Sequence, residues 1–108
     1  MIDNIKSQMR KGILEYCILQ IINQQEAYAT EILECLKAAD LIVVEGTLYP
    51  LLTRLKNAGY FVYRWQESTQ GPPRKYFCIT DSGRALLRDL ENEWNAISNS
   101  IDTIAKKQ

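Results

Sequence analysis

Six apolar residues near the end of this chain, Leu87, Leu90, Trp94, Ile97, Ile101 and Ile104, follow one another at spacings of 3, 4, 3, 4 and 3. Such a pattern is the a/d seam of a helix that packs along its whole length against another helix. A helix from about Asp81 to Lys106 is roughly 40 Å long at about 1.5 Å per residue. The roughly 80 residues before it make a body with a radius of gyration of only about 12 Å. The far end of the helix therefore overshoots its own domain, and Ile97, Ile101 and Ile104 form an apolar stripe that an isolated monomer rarely leaves in water. A second copy packed across a two-fold axis covers it, which makes the six seam residues the expected dimer interface. The competing arrangement folds the helix back onto the chain's own first helix. It is disfavoured because the Ile13–Ile22 face already has two other helices to meet. The two arrangements combine if helix one of one subunit meets helix four of the other.

The rest of the chain reads as one small α+β domain, mainly helical. A first helix spans about Lys6 to Gln24, with Ile13, Leu14, Cys17, Ile18, Ile21 and Ile22 recurring at helical spacing. Asn23 to Glu26 reads as a connection. A second helix begins near Ala29 or Thr30 and buries Ala29, Ile32, Leu33 and Leu36. Glu31 in its first turn favours the helix dipole. Leu41 to Val44 is either an edge strand or a buried connector. A third helix starts near Glu45 to Thr47. It turns Leu48, Leu51, Leu52 and Leu55 inward and Gly46, Pro50, Thr53, Arg54 and Asn57 outward. Pro50 belongs in about the first turn, where its missing N–H does least harm, and Gly59 suits the residue after the helix. Tyr60 to Glu67 and Arg74 to Ile79 read as a two-stranded hairpin, its prolines confined to the tip. Thr80 is the expected N-cap of the last helix. Domain organisation is therefore residues 1–80 followed by the helix 81–108, together one structural unit.

With 108 residues the chain is long enough for one modest core. Its formal net charge is zero, but the charge is unevenly placed. Glu26 to Asp40 carries four acids and one cation; Glu45 to Lys75 carries five cations and two acids. Phosphate contacts respond to the local field of a docking surface more than to the whole-molecule sum. There is no histidine, and the three cysteines (Cys17, Cys35, Cys78) are scattered among apolar neighbours, so they read as small core residues. No metal or cofactor is expected, and no set of residues fills named catalytic roles. No apolar run reaches the ~20 residues of a membrane span, and Met1 to Lys6 has no signal-peptide core, so a cytoplasmic protein is expected.

Two blocks carry the functional signal: Gly46-Thr-Leu-Tyr-Pro-Leu-Leu-x-Arg-Leu-x-x-x-Gly59, and Gly71-Pro-x-Arg-Lys-Tyr-Phe-x-Ile-Thr80-x-x-Gly83. An outward helix beside a basic hairpin is how a winged helix-turn-helix domain grips DNA. In order and spacing the blocks resemble the signature of PadR-like transcriptional regulators, over about Arg10 to Trp94. The single last helix resembles the short subgroup of that family. The resemblance implies three helices, a two-stranded wing and a long C-terminal dimerisation helix, in a homodimeric repressor of pseudo-palindromic DNA. It assigns Thr47, Tyr49, Pro50, Thr53 and Arg54 to the recognition helix, Gln70, Gly71, Arg74 and Lys75 to the wing, and Tyr28 and Thr30 to contacts near the DNA backbone. It further implies a ligand cavity at the dimer interface, lined by Met9, Tyr16, Gln20 and Trp94 and suited to a planar aromatic effector. Trp94 as plain dimer-core packing is the alternative, and Glu91 departs from the apolar residue expected beside it. A winged-helix module that binds protein instead of DNA is the second reading of the whole.

Overall fold

The computed structural model describes residues 2–41 and 43–106. The chain forms α1 (Ile2–Gln24), β1 (Ala27–Tyr28), α2 (Ala29–Ala38), α3 (Glu45–Asn57), β2 (Phe61–Gln66), β3 (Arg74–Ile79) and α4 (Asp81–Lys106). The expected helices and hairpin are all present, in the α+β winged-helix arrangement. Helix α1 starts at Ile2, four residues ahead of the expected Lys6, because nothing in Ile2–Ile5 breaks a helix.

One buried cluster joins the layers. Leu14, Ile18, Leu19 and Ile22 of α1 meet Ile32 and Leu36 of α2, Leu48, Leu52 and Leu55 of α3, Phe61 and Phe77 of the sheet, and Leu87 of α4. Leu33 and Leu51 pack at its edge. Cys17 is half-buried and packs against this core, Cys78 is half-buried, and Cys35 is exposed, so Cys35 is not the core residue expected. On α2 the buried stripe runs through Ile32 and Leu36, and Cys35 falls outside it.

The sheet has three strands, not the two of the expected wing. Its order is β1-β3-β2, antiparallel throughout. Ala27 and Tyr28 pair with Phe77 and Tyr76, so the short strand after α1 covers the free edge of β3. The segment before α3 is a connector; Ile42 lies outside the described residues, and Val44 is the N-cap of α3.

Helices α2 and α3 end in the same way. Leu41 N–H donates to Leu36 C=O at 2.8 Å and Asp40 N–H to Lys37 C=O at 3.0 Å. After α3, Tyr60 N–H donates to Leu55 C=O and Gly59 N–H to Lys56 C=O, both at 3.0 Å. Each is a Schellman motif, which needs a left-handed residue at its fifth position. Gly59 supplies it at φ 87°, and Asp40 supplies it at φ 63°. Helix α3 begins at Glu45, so Pro50 sits in the second turn instead of the first. The Gly46 carbonyl consequently has no helical donor four residues on.

The first half of α4 packs against α1 of the same chain, through Leu86, Leu87 and Leu90. The disfavoured intramolecular arrangement is therefore present over that half. Leu87 is buried within its own subunit and Leu90 is half-buried there, so packing inside the chain takes up Leu87 and part of Leu90. Beyond them Trp94, Ile97, Ile101 and Ile104 are 44–65% exposed, on a molecule 59 Å long and 22 Å thick.

Candidate nucleic-acid interface

The outer face of α3 exists because its inner face is anchored by Leu48, Leu52 and Leu55. At 100° per residue those leucines leave Tyr49, Pro50, Thr53 and Arg54 outward, and all four are exposed. Thr47 is half-buried beside them. The N-terminus of α2 comes alongside. Glu31 turns back to accept the Tyr28 N–H at 3.1 Å, which fixes the chain entry and leaves Thr30 exposed.

One shallow cleft is lined by Tyr28, Thr30, Tyr49, Arg74 and Lys75. Three sequence-assigned segments, the start of α2, the outer face of α3 and the base of the wing, therefore converge. An adjoining cleft adds Thr53, and with it Lys56, Asn57 and Tyr63. Asn57 lies on the face of α3 expected outward and Lys56 is among the cations counted from Glu45 to Lys75; the crossing of α3 over β2 brings both beside Tyr63. On the other side of α3, Gly46, Thr47, Pro50 and Arg54 share a groove with Lys11 of α1. Gln70 and Gly71 are exposed at the wing tip, away from these clefts. Gly71 does not have positive φ, and a β-carbon there would meet nothing within 4 Å, so the tip does not demand a glycine.

The cations differ in what holds them. Arg74 lies over the Tyr28 ring at 4.7 Å and donates to its hydroxyl at 3.4 Å. Lys75 sits 4.6 Å from the Tyr63 ring centre, 5.7 Å from Trp65 and 5.8 Å from Phe77, and Lys56 lies 5.1 Å from Tyr63 on the same ring system. Aromatic faces orient these groups for about 0.5–1 kcal/mol each at exposed sites and leave the positive charge uncancelled. Arg54 instead pairs with Glu15 of α1. Both side chains are substantially exposed, and such a pair contributes about 0–1 kcal/mol, so a phosphate or guanine can displace the carboxylate.

Arg64 is held at more points. It pairs with Glu26, with Nε donating to Oε2 at 3.1 Å, and stacks 5.0 Å from the Tyr76 ring. Cys78 Sγ donates to the same carboxylate at 3.0 Å. The Arg64 hydrogen bond first, then the Cys78 one, hold the Glu26 carboxyl down at about 2. Arg64 therefore drops out of the positive surface that the sequence counts attributed to Glu45–Lys75.

The residues assigned to a ligand cavity do not enclose one within a single chain. Met9 is 73% exposed, Gln20 is exposed, Tyr16 is half-buried and Trp94 stands out from α4. Burial raises the pKa of the Tyr16 hydroxyl, and the Glu91 charge pushes it the same way. Among the described residues no helix is long and apolar enough to cross a membrane.

A helix held outward over a three-stranded wing, with uncancelled cations where the two meet, defines a winged helix-turn-helix protein of the DNA-binding kind. Residues 18–89 match the model of the transcriptional regulator PadR-like family. The chain is similar to the solved structure of a PadR-like transcription factor from Bacteroides fragilis, at 55% identity over 94% of this chain and 98% of that one, with a TM-score of 0.80. It is also similar to a PadR-like transcriptional regulator from Bacillus cereus, at 38% identity over 90% and 95% of the two chains, TM-score 0.79. A curated, uncharacterised protein from Lysinibacillus sphaericus is 29% identical over 91% of this chain and 93% of its own length. The chain belongs to the PadR-like family of transcriptional regulators, which are regulators and not enzymes.

Proposed function

We propose that the protein is a homodimeric repressor whose two α3 helices enter successive major grooves of a pseudo-palindromic operator, about one helical turn apart. Residues 1–80 act as the DNA-gripping unit and the helix 81–108 as the pairing unit. One observation carries the reading: Tyr28, Thr30, Tyr49, Arg74 and Lys75 meet in one cleft whose cations are oriented by rings and not neutralised by carboxylates. Threonine and tyrosine hydroxyls reach phosphate or base edges there, and Arg54 exchanges Glu15 for DNA. The stripe from Trp94 to Ile104 supports pairing, because its exposed apolar area needs cover that the chain does not supply.

Met9, Tyr16, Gln20 and Trp94 would then line a cavity completed by the second subunit, where two indoles stack a planar aromatic effector. Such a compound derepresses only if it binds one angle of the two winged units better than another. Selection of bound fragments from the host genome, followed by titration of Arg54→Ala and Arg74→Ala, tests the DNA reading. Arg54→Ala costs about 1–3 kcal/mol of operator binding if it reads a base. Unchanged affinity in the folded double variant would remove these residues from the interface. For the effector, a Trp65→Phe protein leaves Trp94 as its only indole. Absence of quenching across a broad panel of planar aromatics refutes the cavity.

A further inference from the structure

Helix α1 carries a basic strip that the recognition helix and wing do not account for. At about 100° per residue, Ile5, Met9, Ile13 and Tyr16 fall within one arc of about 80°. Lys6, Arg10, Leu14, Ser7 and Lys11 occupy the adjoining arc of about 140°. Leu14 is buried, at 2% exposure, and so turns this second arc toward the start of α3. Lys6, Ser7, Arg10 and Lys11 form one wall of an open groove, with Val44 and Thr47 on the other. Lys11 and Thr47 also line the neighbouring groove that holds Pro50 and Arg54. The two grooves therefore run together from the outer face of α3 to the basic face of α1.

Resting on the proposed DNA reading, we infer that Lys6, Arg10 and Lys11 form a second phosphate-binding strip, which takes the sugar–phosphate backbone flanking the groove that α3 enters. Three observations carry this. Among the described side chains, no carboxylate lies in ion-pair contact with any of the three cations, whereas Arg54, Arg64 and Arg84 each have one. Of the described acids nearby, Glu15 is engaged by Arg54, and Glu45 is absent from the groove lining. The positive end of the α3 dipole opens beside Thr47 and offsets part of the Glu45 charge in the same turn. The ligand class is a phosphodiester backbone, because the strip offers point charges and a hydroxyl with no planar slot for a base. Its arc is separate from that of Ile5 and Met9, the exposed apolar residues of α1.

The test is a Lys6→Gln, Arg10→Gln, Lys11→Gln variant, titrated with a mixed-sequence duplex of about three helical turns over a range of salt concentrations. Each lost phosphate contact makes log K against log [salt] shallower by about 0.9, so the expected change is roughly 2–3 per protomer. Affinity falls by a similar factor for operator and random duplexes, with an unchanged specificity ratio and unchanged helix content. A wild-type slope in the folded variant overturns the strip and leaves the DNA reading intact. A variant that changes its sedimentation while keeping the wild-type slope also overturns it, and assigns the face to contacts between copies. Wild-type protein that shows no salt-dependent binding to any duplex overturns both readings.

Discussion

Replacing Gly83 with alanine sets two effects of opposite sign against each other. Helix propensity alone favours alanine by about 0.8–1 kcal/mol in a helix interior. The surroundings oppose it. A β-carbon at Gly83 would run into the Tyr60 carbonyl oxygen and come within 2.7 Å of Ile79 Cγ1. The carbonyl is not free to yield. It accepts the Thr80 N–H at 3.1 Å, and the Tyr60 N–H is tied to Leu55 C=O at 3.0 Å in the cap of α3. Thr80 Oγ1 in turn donates to Gly59 C=O at 2.7 Å and accepts the Gly83 N–H at 3.1 Å. Relief requires the first turn of α4 to back away from the end of α3, at the cost of about two hydrogen bonds near 1 kcal/mol each. Overpacking itself costs about 1–3 kcal/mol. After the propensity gain the expected net loss is about 2–4 kcal/mol. Urea unfolding at fixed protein concentration reads it directly. With a slope of about 1–3 kcal/mol/M, the midpoint should fall by about 0.7–4 M. A midpoint equal to or above wild type would refute the close approach of α3 and α4 at this junction.

Three further outcomes are expected. Gly59→Ala should cost about 1 kcal/mol and Asp40→Gly should gain up to about 0.5 kcal/mol, because both sites demand positive φ in the same cap motif; thermal melts of the two variants should move in opposite directions. The folded-state pKa of Glu26 is depressed to about 2, so its contribution is present above the ordinary carboxylate range near 4.5 and is lost as pH falls toward 2. The wild-type advantage over Glu26→Gln should accordingly narrow across that window in melts taken against pH, and a constant gap would refute the Arg64–Glu26 assignment. Ile101→Asp removes an exposed apolar side chain from the end of α4, so helix content should hold while dimer dissociation rises at least about tenfold by sedimentation, the burial of one isoleucine being about 1.5–3 kcal/mol. Unchanged association would take Ile101 out of the pairing surface.

The helices and the hairpin were legible because each writes its own phase. Leucines at 48, 52 and 55 decide which side of α3 faces out, whatever lies beneath, and the seam from Leu87 to Ile104 exceeds what a domain of this length can cover. The two sequence blocks likewise pointed to α3 and the wing, and the fold brings side chains of both into shared clefts. Strand β1 was not legible, since two residues show no alternation; it exists because β3 offers an unpaired edge. No local pattern could join Arg54 to Glu15 or Arg64 to Glu26, which lie 39 and 38 residues apart. Those pairings decide which cations present uncancelled charge, and they took Arg64 away from the count while leaving Lys56 and Lys75 on their rings. The sequence by itself determined the faces of each element, because side-chain phase is a local property of the backbone. Only tertiary structure decided how α4 divides between its own α1 and open solvent, and which charges stand together, because both depend on the distances between elements that the chain order does not encode.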